Sequence, residues 1–164
     1  MIIRVTTKLG RKIGESPHRS LAPDANPFAD WSADLFTADR TQYVIVVNTP
    51  SLYALVMYGR GITTGERFLR LWMSPLGDLM RHDGLSFTFE RLVVPAVGQV
   101  AFSKALNRRV TGSMNDMIAH AKAHLTIDGR SPHETSFRLN EMPMSYLGHG
   151  VPRDAFRKLP PPED

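Results

Sequence analysis

The sequence has no cysteine. A disulfide framework is therefore excluded, as are thiolate zinc sites and any cysteine nucleophile. Long apolar runs are also missing. None approaches the roughly 20 residues that span a bilayer as a helix. Met1-Ile2-Ile3-Arg4-Val5 enters a strand-like run at once, with no signal-peptide core or cleavage site. A cytoplasmic location without membrane contact is the default expectation. Glycine-rich phosphate loops are lacking too. Gly59-x-Gly61 has neither the further glycine nor the lysine of such a loop and reads as a turn.

What remains is 164 residues of ordinary globular composition, 42% hydrophobic and 22% charged. That length suits one domain whose core needs no metal to fold. The net charge of +4 is unevenly spread. Residues 1–20 hold five bases (Arg4, Lys8, Arg11, Lys12, Arg19) against one acid, Glu15. Residues 101–130 hold five (Lys104, Arg108, Arg109, Lys122, Arg130) against Asp116 and Asp128. The remainder is slightly negative. Segmental basicity of this kind bears on partners more than the total does.

Hydrophobic periodicity predicts an α+β fold with a mainly antiparallel sheet. Its meander covers 31–58, with Asp39-Arg40 and Asn48-Thr49-Pro50 as turns, because such short connections do not suit parallel crossovers. Residues 2–6 and 98–103 add strands. Helices are expected at 64–81, behind a Thr63-x-x-Glu66 capping box and interrupted at Pro75, and at 114–127. Residues 15–27 read as a loop and 85–94 lean to helix. The domain is expected to span 1–146, and the prolines beyond it predict an irregular tail over 147–164.

Trp31-x-Ala33-x-Leu35-Phe36 is followed by Asn107-Arg108-x-Val110-x-Gly112-Ser113-Met114-Asn115-Asp116-Met117, then by Leu139-Asn140-Glu141-x-Pro143-Met144. In these strings the chain resembles a family of small bacterial proteins defined only as a domain of unknown function. The likeness covers roughly residues 28–127 plus the 139–144 motif. It implies a bacterial protein and brings no activity with it. The loop 15–27 and the proline-rich end stand outside it.

The residues themselves offer two constellations. Gly112-Ser113 ahead of a helix suits an N-cap, and a free helix N-terminus attracts anions. With Arg108 and Arg109 just upstream, Asn107, Ser113 and Asn115 form a candidate phosphate site, which Arg4 and Lys104 extend if strands 2–6 and 98–103 are neighbours. The plain structural alternative is a turn that satisfies its own backbone, and Asp116 would repel phosphate there. The second constellation is the i, i+4, i+8 ladder Asp116, His120, His124. It could hold a metal or serve as acid and base. The Glu of a zincin is replaced by Ala121, and half-exposed boundary histidines are commoner. Asp30 and Asp34 share a strand face with Ser32 and are expected to be solvated.

The first expectation is therefore a non-enzymatic binding or regulatory module, without cofactor, for nucleic acid or an acidic protein. A small hydrolase or nuclease using Asp116, His120 and His124 is the alternative. A structural subunit of a larger assembly is the third.

Overall fold

The computed structural model describes residues 1–163. Strand β1 (Ile2–Val5) leads into helix α1 (Thr7–Ile13), capped by Thr6 and ended by Gly14 in a left-handed conformation. After the loop come β2 (Asp30–Ala38), β3 (Thr41–Asn48) and β4 (Ala54–Tyr58). Helix α2 (Gly65–His82) is followed by the short helix α3 (Ser86–Thr88), further helical turns to Gly98, and β5 (Ala101–Ser103). Helices α4 (Arg108–Thr126), α5 (Pro132–Asn140) and α6 (Pro152–Arg157) complete the chain.

The five strands form one sheet in the order β4-β3-β2-β1-β5. The meander β2-β3-β4 is antiparallel. Its first turn places Asp39 and Arg40 at positive φ, the conformation that lets a two-residue hairpin follow the strand twist. The sheet as a whole is mixed, because β1 runs parallel to both β2 and β5. The intervening chain is long enough to carry each strand back to the same starting end. Strands 2–6 and 98–103 are thus neighbours.

Apolar residues cover both faces. Ile3, Val5, Trp31, Leu35, Val44 and Leu55 pack with α1 and α2. Phe36, Ile45, Val47 and Val56 pack with Met114, Met117, Ile118 and Ala121 of α4. The strictly alternating β2 feeds both clusters, as period-2 geometry requires. Pro75 lies inside α2, which nevertheless runs unbroken to His82. Its hydroxyl cap is Thr64, one residue beyond the expected Thr63.

Three expectations need correction. Asp30 and Asp34 are buried, not solvated: the 15–27 loop folds over the Arg4–Asp30 pair, and Asp34 Oδ1 accepts from the Thr6 hydroxyl at 2.7 Å. Helix α4 begins at Arg108 rather than Met114, since Asn107 Oδ1 accepts from the Val110 N–H at 3.0 Å and caps it. The segment after residue 147 is not a loose tail. Phe156 of α6 is fully buried in the core and meets Phe28 edge-on at 5.2 Å and Tyr53 in a stack at 4.7 Å.

Candidate functional site

The residues proposed for anion binding do not form one patch. Arg4 belongs to the core at 1% exposure. Its Nε and Nη2 donate to the two carboxylate oxygens of Asp30 at 2.8 and 2.7 Å, a bidentate pair. Its remaining N–H groups donate to the Leu21 and Ala22 carbonyls and the Ser103 hydroxyl. Fully engaged in this way, Arg4 is a structural staple between the sheet and the 15–27 loop.

Ser113 is no helix cap. It lies one and a half turns into α4, where its hydroxyl donates to the Arg109 carbonyl at 2.8 Å. Asn107 spends its side-chain oxygen on the cap, and Asn115 is exposed on the helix. Arg108, Arg109, Ser113 and Asp116 line a shallow hollow of about 420 Å³ together with Tyr146. The Arg109 guanidinium lies over the Tyr146 ring, 5.1 Å from its centre.

The histidine ladder is divided by its partners. His124 Nδ1 lies 2.9 Å from Asp128 Oδ2, one turn onward, rather than engaging Asp116. That hydrogen bond holds the Asp128 carboxyl below its ordinary pKa. His120 is exposed. Among the described residues no group of three or more His, Asp or Glu side chains is placed to hold a metal ion.

The first basic segment arranges itself differently. On α1, Leu9, Gly10 and Ile13 face the core, so helical periodicity turns Lys8, Arg11 and Lys12 outward together. Lys12 shares a hollow of about 780 Å³ with Arg40, Arg60 and Tyr58. Arg11 shares a second hollow, about 330 Å³, with Lys104, brought there because β5 pairs with β1. Helix α1 thus joins the two hollows. Among the described residues none of Lys8, Arg11, Lys12, Arg40, Arg60 and Lys104 forms an ion pair. Lys12 Nζ donates only to Gln42 Oε1, at 3.0 Å.

An aromatic ladder ends at the same place. Phe36, Tyr43 and Tyr58 are opposite one another on β2, β3 and β4, and their rings stack at 5.5 and 5.4 Å. Burial, and then the neighbouring Tyr58, raise the Tyr43 pKa. Tyr58 closes the ladder with 58% of its surface exposed. Arg40 and Arg60 escaped sequence reasoning because each sits alone at a turn or strand end, and Tyr58 stood out there only as a contact for a larger assembly. A signal was present in Tyr58-Gly59-Arg60 and Asp39-Arg40, but only the sheet register brings them beside Lys12.

A family model described as domain of unknown function DUF6933 matches residues 2–155. The chain belongs to this family. The matched span takes in the 15–27 loop, which the resemblance left outside, and ends within α6, one residue before Phe156. No curated protein matches the chain. Among the described residues no helix is long and apolar enough to cross a membrane.

Proposed function

We propose that this DUF6933 chain is a non-enzymatic module that binds single-stranded nucleic acid along the outer face of α1. The observation that carries this reading is the set of six basic side chains around α1 without an ion-pair partner, beside an exposed tyrosine. Basic side chains along a groove hold phosphates, and an exposed aromatic ring stacks on a base with little regard for sequence. Lys12, Arg40, Arg60, Arg11, Lys8 and Lys104 take the backbone in this reading, and Tyr58 takes a base. Arg108 and Arg109, at the start of α4, line a different hollow and extend the contact only for a longer strand.

The test is anisotropy of a labelled oligonucleotide over a salt series. Contacts at six phosphates give a log–log salt slope of about −4 for a single strand. Replacing Lys12 and Arg60 together by Ala lowers that slope by about 1.4, and Tyr58→Ala weakens binding by about 1–3 kcal/mol. Absence of binding at low salt overturns the proposal.

A further inference from the structure

A further concave site borders the His124–Asp128 pair through Arg130. It is a cleft of about 730 Å³ between the end of α2, helix α5 and helix α6. Four arginines line it, and they arrive from separate elements: Arg130 from the turn before α5, Arg138 from α5, Arg153 and Arg157 from α6.

The acids in the cleft are already committed. Asp83 accepts the Tyr53 hydroxyl at 2.6 Å. Glu134 caps α5 through the Ser131 N–H at 2.8 Å, which also keeps its carboxyl below its ordinary pKa. Glu141 holds Arg153 at 3.2 Å. Arg157 donates to the Asp83 carbonyl and lies near Asp154, but the other three arginines are less satisfied. Arg138 has no ion-pair partner among the described residues. The Nε atoms of Arg130 and Arg153 are enclosed and have no hydrogen-bond acceptor. For Arg130 the nearest carboxylate oxygen, on Asp128, is 3.6 Å away, beyond hydrogen-bond length. Enclosed donors without acceptors are rare in folded proteins and call for a specific explanation.

We infer that this cleft binds a small phosphate-bearing molecule. Guanidinium groups converging from three elements suit a tetrahedral anion, whose oxygens accept from several directions. A planar carboxylate is satisfied by one coplanar fork. The Phe137 ring, 4.4 Å from the His82 ring, offers a flat wall for an organic moiety next to the phosphate. The site is separate from the α1 face, so it stands or falls independently of the nucleic-acid reading.

The experiment is calorimetric titration of the full chain with inorganic pyrophosphate and with AMP, with citrate as the carboxylate comparison. Saturable binding of one pyrophosphate or AMP per chain is expected, at least tenfold tighter than citrate. Arg138→Gln combined with Arg153→Gln lowers the affinity at least tenfold. Glu141→Gln, which releases Arg153, raises it. Lys12→Ala with Arg60→Ala changes it less than twofold. Arg138 is exposed and unbonded, so Arg138→Gln alone serves if the double variant does not fold; a loss of threefold or more is then expected. No binding of either phosphate probe, citrate binding as tightly, or a loss produced by the Lys12/Arg60 pair and not by the Arg138 variant overturns the inference.

Discussion

Asn140 holds Ala54 by both of its backbone groups. Its Oδ1 accepts from the Ala54 N–H at 2.7 Å and its Nδ2 donates to the Ala54 carbonyl at 2.9 Å. One turn earlier on α5, the Ser136 hydroxyl accepts from the Val56 N–H at 2.8 Å. The side chains of a helix thus stand in for a neighbouring strand along β4, the sheet edge. Unpaired edges invite pairing with other chains, so α5 closes a route to self-association.

Asn140→Ala leaves two buried backbone groups without partners. A loss of roughly 2–4 kcal/mol is expected from denaturant unfolding, since each orphaned group costs about 1–3 kcal/mol. Light scattering of the variant should show growth of oligomers through β4. An unchanged midpoint would show that water or the backbone replaces the amide.

The Arg4–Asp30 pair should behave asymmetrically. Both side chains are nearly fully buried. Asp30→Ala strands a guanidinium in the core and should cost about 3–5 kcal/mol. Replacing both partners by apolar residues of similar volume should recover most of that loss, because desolvation of the two charges disappears together. Urea titrations of the single and double variants check this. The double variant also removes the tie to the Leu21 and Ala22 carbonyls, so proteolysis within residues 15–27 should accelerate.

Tyr53 makes alkaline stability testable. Burial first, and then the hydrogen bond to Asp83, raise the pKa of its phenol well above the ordinary value of 10.0. The folded state therefore keeps a proton that the unfolded chain releases at high pH. The resulting stabilisation is complete below about pH 10 and declines as pH rises above it. Unfolding free energy measured between pH 8 and 11 should fall at the alkaline end. In Tyr53→Phe that extra decline should be smaller, with a loss of about 1.5–3 kcal/mol at neutral pH from the broken bond to a carboxylate.

Phe156 decides whether α6 belongs to the core. Phe156→Ala should cost about 3–5 kcal/mol, as for other buried aromatics. A chain ending at residue 147 should bind a hydrophobic dye and lose its near-ultraviolet aromatic signal, because Phe28, Trp31 and Tyr53 lose their neighbour. A truncated chain that melts at the temperature of the full one would contradict this.

Local patterns carried much of this outcome. The alternation of Trp31, Ala33 and Leu35 and the continuous run Tyr43–Val47 were enough for the meander, since strand periodicity and short turns are local properties. The core stripe of α4 was legible for the same reason. Gly112-Ser113 misled because glycine and serine favour helix ends on average. Here Asn107 caps earlier, and an exposed glycine inside the helix costs only about 1 kcal/mol against alanine.

By itself, then, the sequence determined the α+β class, the antiparallel half of the sheet, the family and the segmental placement of charge. Tertiary structure alone decided what each charge does. Arg4 lies in β1 and Lys104 directly follows its neighbour β5, yet one reaches a buried carboxylate and the other a hollow with Arg11. Whether an arginine is a staple, a free cation on α1 or a wall of the α5 cleft depends on neighbours tens of residues away. Coulombic and hydrogen-bond partners are selected by distance in space, and strand register and helix packing set that distance.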